Sequence, residues 1–233
     1  MVAIHQVLAT LGYGDAIGHE VLGIQRVLRG AGYDSEIFVQ TADPRLEHLT
    51  LDYRDLADAS HPDNILIHHF SIGSRASRMA YALADRMVLI YHNITPPEFF
   101  VDVNKELVQL CYRGRRELSL YQSRCDLALG DSEYNRQELE DLGFTNTGVF
   151  PIAVDTDRIT QAPRRPALEK VLHEEGWLNF LFVGRIVPNK KIEDHIKLAE
   201  HYKRYVDEQY RFIFVGKTDA TPKYYSAIRA MLE

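Results

Sequence analysis

Residues 179–198 read NFLFVGRIVPNKKIEDHIKL. The stretch 179–183 is a short apolar run rich in β-formers, Gly184 permits a tight exit, Pro188 bars the strand from continuing, and helical periodicity begins at Ile192. Arg185 and Lys190 therefore stand where a buried strand hands over to a helix. In open α/β sheets ligands bind along the carboxyl edge of the strands, and helix-start amides add their own attraction for phosphate. Arg185 offers a planar bidentate fork and Lys190 a mobile point charge. Two basic residues in an arbitrary loop are commonly just solvated, but strand, Gly, Pro and helix together point here to anion binding.

Outward from this segment, apolar runs alternate with helical patterns almost end to end, the mark of βαβ units and a parallel sheet. Strands are expected at 2–9, 35–40, 64–70, 86–91, 126–130 and 148–152, with helices at 18–30, 74–85, 105–123 and 132–142. These make one Rossmann-like domain over residues 1–153, and right-handed crossovers place the strand ends along one edge. Residues 154–170 lose apolar periodicity and gain Pro and charge, as a linker does. Residues 171–233 hold a helix through residue 175, the strand from 179, a helix at 192–205, a strand at 211–215 and a helix at 223–232. Two βα units leave a sheet edge open, so the sequence reads as the first part of a second Rossmann-like domain. The fold class is α/β.

Composition narrows the function. With 45% hydrophobic residues over 233 positions the chain can bury a core. A net charge of -6 argues against a general nucleic-acid binder, which needs a basic face. Cys111 and Cys125 lack metal-finger or redox spacing and read as reduced residues of a cytoplasmic protein. No apolar stretch approaches the roughly 18 residues of a membrane span, and the start MVAIHQVLATLGYGD lacks the basic region of a secretory leader.

Three motifs carry chemistry. The first βα loop, LGYGDAIGHE at 11–20, spaces its glycines as G-x-G-x-x-x-G, one residue longer than the dinucleotide fingerprint, and no clear acid closes the second strand as a ribose partner. A nicotinamide enzyme is thereby disfavoured. The strand at 86–91 delivers His92 to the ligand edge, followed by the Pro-stiffened loop NITPP. His68 and His69 suggest a metal at first sight, yet adjacent strand residues point to opposite faces, and no Cys or carboxylate cluster completes a set. One histidine is expected in the core and one toward the ligand edge, with no metal.

Gly184, Arg185 and Lys190 form a G-R-x-x-x-x-K pattern that resembles the signature of family 4 retaining glycosyltransferases, enzymes of the GT-B fold. Lys191 stands where many members have Gly. The helix start Ser132-Glu133-Tyr134-Asn135 is similar to the family's as well. The resemblance covers the whole chain, as an acceptor domain plus the first part of a nucleotide-sugar donor domain. It implies that Arg185 and Lys190 neutralise the donor diphosphate, with backbone contacts from Gly14, Asp15 and Ala16. By the same resemblance His92 meets the transferred sugar or the acceptor; of His68 and His69 the one at the ligand edge is expected near the acceptor, and Arg115 is placed on the acceptor side with them. Transfer from a nucleotide-diphosphate sugar to a carbohydrate or lipid-linked acceptor hydroxyl is implied, metal-independent and without a cofactor. The basic stretch CYRGRRE at 111–117 reads by itself as a solvated face, and the resemblance implies weak, reversible contact with an anionic membrane. Asp155-Thr156-Asp157 has the D-x-D form used by the other glycosyltransferase fold, but it lies in the linker. The family's Glu-x7-Glu spacing recurs at Glu98/Glu106 and Glu200/Glu208, neither in the right place, so that motif is expected beyond residue 233. A GT-B epimerase and a non-catalytic nucleotide- or anion-binding fragment are the alternatives.

Overall fold

A computed structural model describes residues 2–232. The chain forms two compact units, one running through Pro96 and resuming over Gln109–Asp155, the other made of Pro97–Val108 and the chain from Thr156 onward.

Unit one is built in chain order from β1 (Ile4–Leu11), α1 (Ala16–Gly30), β2 (Ile37–Ala42), β3 (Leu51–Asp52), α2 (Leu56–Ala59), β4 (Ile65–Phe70), α3 (Arg75–Ala82), β5 (Arg86–Tyr91), the part from Gln109 on of α4 (Lys105–Leu120), β6 (Leu127–Gly130), α5 (Glu133–Asp141) and β7 (Thr147–Val149). The seven strands are all parallel, in the order β3-β2-β1-β4-β5-β6-β7. Strands covered on both faces read as near-continuous apolar runs. Val7, Leu8 and Leu11 of β1, Leu66 and Phe70 of β4, and Met87, Leu89 and Ile90 of β5 are accordingly buried. Ser74 and Ser132 cap α3 and α5, their hydroxyls accepting from the Ser77 and Asn135 amides.

The α/β reading and its strand sequence hold, with local differences that have physical causes. β1 starts two residues later than expected because residue 3 makes only an isolated bridge to Asp34. α1 starts two residues earlier because Asp15 caps it. β3 went unread, being only two residues long and at the sheet edge.

From β1 the chain steps outward through β2 and β3, then returns to place β4 on the other side of β1. The carboxyl ends of β1 and β4 therefore flank the topological switch point, where such sheets bind ligands.

Unit two carries α6 (Thr156–Thr160), α7 (Pro166–Leu172), β8 (Leu178–Val183), α8 (Ile192–Tyr205), β9 (Tyr210–Val215) and α9 (Pro222–Ala230). α7 begins inside the stretch read as linker. β8 and β9 pair in parallel from Leu178↔Tyr210 to Val183↔Val215. Period-2 alternation turns Phe182 and Phe214 onto a small core of Ile186, Ile192 and Ile228. Leu181 and Val183, on the other face, are exposed. The segment Pro97–Val108 belongs to this unit, and Asn104 Nδ2 donates to Ala220 O at 2.9 Å. Among the described residues no helix is long and apolar enough to cross a membrane.

Candidate active site

At the switch point of unit one, five neighbouring elements deliver polar side chains into the interior: Gln6 from β1, Glu20 from α1, His69 from β4, His92 just past β5 and Asp131 just past β6. Gln6, Glu20, His69 and His92 are all buried. Gln6 Nε2 donates to Val21 O at 3.0 Å, which turns its Oε1 toward His69 Nε2, also at 3.0 Å. His69 Nδ1 meets His92 Nε2 at 2.9 Å. His92 Nδ1 lies 2.9 Å from one Asp131 oxygen and 3.1 Å from the other. Both ring nitrogens of both histidines are thus engaged within the unit.

The two imidazoles are parallel to within 4° with centroids 5.2 Å apart. That separation equals the 2.9 Å N···N distance plus one ring radius on either side, the largest value this distance permits. The rings are therefore coplanar and edge to edge, sharing an in-line hydrogen bond, and are not stacked face to face.

Glu20 lies beside this junction, its carboxylate 3.7 Å from His92 Nε2 and 4.0 Å from His69 Nδ1, with no hydrogen-bond partner on either oxygen. Burial pushes its carboxyl up to about 7, His92 pulls it back in part, and Asp131 adds to the rise. Burial, with His92 and His68 beside it, holds His69 well below its ordinary value, so the ring stays neutral. Glu20, His69 and His92 place their ligand-capable atoms within 4.8 Å of one another. The expectation that no carboxylate joins the histidines is thereby corrected.

The sequence reading missed Glu20, Gln6 and Asp131. The signal for Glu20 was available: it falls with Ile17, Val21 and Ile24 on the apolar stripe of α1, where a charged residue is out of place. Asp131 is the residue directly after a strand end, at the ligand edge.

Other predicted residues are placed as follows. His68 points to the opposite face, as the pleat requires, with Nε2 3.2 Å from Ser77 Oγ and its ring against Tyr121 and Phe70. Burial pushes its pKa down to about 3. It is a core residue, while His69 belongs to the line at the switch point. Arg115 donates to Ile94 O and to Glu138, and Tyr91 OH links Glu138 to the Ile94 amide. Its fork braces the loop after His92. α4 also touches the loop after β4 backbone to backbone: a Cβ on Gly73 would come 2.8 Å from Gly114 N, and one on Gly114 would come 2.5 Å from Gly73 N.

In the first βα loop Gly14 takes a left-handed φ of +78° with open space around it. Asp15 Oδ1 accepts from Gly18 N at 2.6 Å, so this side chain is used as the cap of α1. A Cβ on Gly12 or Gly18 would strike Asp15 or the Gly12 carbonyl. Those two glycines close the loop on itself, leaving Gly14 and Ala16 as its outward part.

In unit two Gly184 leaves β8 with its amide on Val215 O at 2.9 Å, and a Cβ on Gly216 would run into the Gly184 carbonyl. Gly216 is a further requirement of this exit that the sequence reading missed. Arg185 and Lys190 follow, both exposed, and among the described residues neither side chain enters a hydrogen bond or an ion pair. Lys190 closes a 3-10 turn, Pro188–Lys190, whose C-cap Lys191 has φ 47°, ψ 56°. The left-handed backbone explains why glycine suits this position.

A surface hollow of about 700 Å³ lies among His5, Asp34, Glu36 and Asn64 at the amino edge of the large sheet. It is at the opposite end from the histidine line.

No family model and no curated protein sequence matches the chain. Solved structures do. An α,α-trehalose 6-phosphate synthase from Burkholderia multivorans aligns with a TM-score of 0.66 at 14% identity, over 100% of this chain and 68% of the other. An Anabaena protein, HepE, solved with UDP and glucose, aligns with a TM-score of 0.59 at 16% identity, over 100% of this chain and 66% of its own. An α-glucosyltransferase solved with UDP and a 13-mer DNA gives 0.61 at 11% identity, over 99% and 60%. The chain thus spans about two thirds of the length of these structures, and its fold is that of glycosyltransferases of the GT-B type.

Proposed function

We propose that the chain is the acceptor domain and the first part of the donor domain of a family 4 retaining glycosyltransferase. It would move a sugar from a nucleotide-diphosphate donor to a carbohydrate or lipid-linked acceptor hydroxyl. The single observation that carries this reading is the unpaired Arg185 and Lys190 at the carboxyl end of β8. A fork and a point charge at a strand end, with no carboxylate partner among the described residues, suit a diphosphate. The fold shared with glycosyltransferases supports the same reading.

The demanding step of such a transfer is departure of the nucleotide diphosphate. The Arg185 and Lys190 cations would stabilise that charge as it develops, in the role a metal ion would otherwise fill. His92, with both ring nitrogens occupied, contributes position more than proton transfer. The protein would act in the cytoplasm, with α4's basic residues giving weak contact to an anionic membrane.

Calorimetric titration of UDP into the full-length protein tests this. Binding lost in Arg185→Ala and Lys190→Ala, with folding intact, is the expected result. Wild-type affinity in both variants would remove the proposal.

A further inference from the structure

The line Gln6–His69–His92–Asp131 has a direction. Gln6 Oε1 can only accept, so His69 must carry its proton on Nε2. Being neutral, His69 then accepts at Nδ1, and His92 Nε2 must be the donor. His92 Nδ1 faces the Asp131 carboxylate at 2.9 Å, a contact that is a hydrogen bond only with a proton between the two. Each bond fixes the next, from a buried amide on β1 to the loop after β6. Asp131 is the most accessible end, its side chain 15% exposed against 1% or less for His69, His92 and Glu20. His92 has no nitrogen left to offer a ligand.

A metal is the competing explanation of Glu20, His69 and His92. A zinc ion needs lone pairs converging on a third point about 2.0–2.1 Å from each nitrogen. Here the two nitrogens point at one another along the line of the ring centres. That is the geometry of a shared proton.

We propose that Asp131 is the group through which this buried line meets a sugar hydroxyl, and that Gln6, His69 and His92, with Glu20 beside them, are positioning residues that set its orientation and its proton. The identity of the ligand rests on the glycosyl-transfer reading; the proton line does not. The titratable groups facing Glu20 are His69 from β4, His92 beyond β5 and Asp131 beyond β6, while β1 contributes the uncharged Gln6. When Glu20 is ionised, its charge draws the shared proton onto His92 and leaves Asp131 a full carboxylate, the stronger acceptor for a hydroxyl. When Glu20 is protonated that pull is lost. Burial sets the changeover near neutrality.

Two measurements on different material test this. In the 233-residue chain with 15N-labelled histidine, long-range proton–nitrogen NMR between pH 5 and 9 should show His69 as the Nε2–H tautomer throughout. His92 should keep its Nε2 proton, with an Nδ1 signal that shifts near neutral pH in wild type and stays flat in Glu20→Gln. His69 protonated on Nδ1, or an unchanged His92 profile in Glu20→Gln, overturns the line. So does a saturable change of both histidines on adding one equivalent of zinc, which would make the cluster a metal site. His69→Asn, which keeps an acceptor near the Nδ1 position, should preserve the His92 signal if Glu20→Gln fails to fold.

In the full-length enzyme assayed with nucleotide sugars, Asp131→Ala should lower kcat about 10- to 100-fold, with UDP affinity within about twofold of wild type. Glu20→Gln should lower kcat at pH 8 about tenfold and remove the rise of kcat through neutral pH. A merely structural role would move the melting temperature and leave the pH profile in place, and that result overturns the proposal. Absence of any transfer by the wild-type enzyme defeats the functional reading and the sugar-hydroxyl half of this one, while the NMR result still decides the proton line.

Discussion

The two units present polar groups in opposite ways. In unit one the switch point is filled: two histidines, a glutamine and an aspartate are joined in a line inside the sheet, and beside them Glu20 has no hydrogen-bond partner on either oxygen among the described residues. In unit two Arg185 and Lys190 stand exposed with no partner among the described residues. A line whose members bind each other is already organised and changes little when a ligand arrives. Cations that bind nothing are available for an anion and contribute little to folding. The difference separates residues whose loss should alter stability and proton inventory from residues whose loss should alter affinity alone.

The largest effect should come from the open side. On the proposed glycosyl-transfer reading, replacing both Arg185 and Lys190 by Ala should weaken UDP binding by about 100-fold or more, since hydrogen bonds to charged groups contribute about 1.5–3 kcal/mol each. The melting temperature should stay within about a degree, since surface substitutions of this kind cost little. A large loss of stability would show that the cations are not idle in the ligand-free fold, and the contrast would break.

On the filled side, Gly114→Ala should cost about 1–3 kcal/mol, as overpacking against a neighbouring backbone does. Urea unfolding of the 233-residue chain measures it, and a neutral result would mean that α4 can retreat.

Glu20 gives a pH test with a definite sign. Its carboxyl is raised from 4.5 to about 7 in the fold. The native state therefore holds a proton that the unfolded chain releases between those values, and stability should fall as pH rises through that window and level off above it. Glu20→Gln should flatten the slope and raise stability at pH 8 on the order of 2 kcal/mol. Melting curves from pH 5 to 8 decide this, and an unchanged slope would assign the dependence elsewhere.

The smallest effect is expected at Lys191. Gly relieves the left-handed backbone at φ 47°, offset by its greater freedom in the unfolded chain. Lys191→Gly should stabilise unit two by about 0.5 kcal/mol, measured by denaturant midpoint. A loss would show that the lysine side chain contributes packing.

Much of this was legible because it is periodic. α8 occupies the expected 192–205 and β5 the expected 86–91, where apolar spacing and flanking breakers agree. The strand-end positions of Arg185, Lys190 and His92 followed from the same patterns. What could not be read was partnership. Glu20 is seven positions before Val27 on a helix that alternates burial and exposure, and nothing local says that its carboxyl meets a histidine 49 residues later. Opposed strand faces did separate His68 from His69, but periodicity cannot say which partner each finds. Arg115 illustrates the same gap: a basic helix looks like a surface until Ile94 and Glu138 are seen to occupy its fork.

The paired glycines at 73 and 114 carry a consequence for anyone screening variants. α4 rests on the loop after β4 with no side chain between them, and through Ile94 it also grips the loop after β5. The first of those loops follows the strand that bears His69, and the second begins with His92 itself. A single added methyl at either glycine would act as a shim, tilting both histidine supports together. A genetic screen would therefore score Gly73 and Gly114 among the inactivating positions, although neither bears a functional group, and trimming a side chain elsewhere should not suppress them, because the atoms met first are backbone.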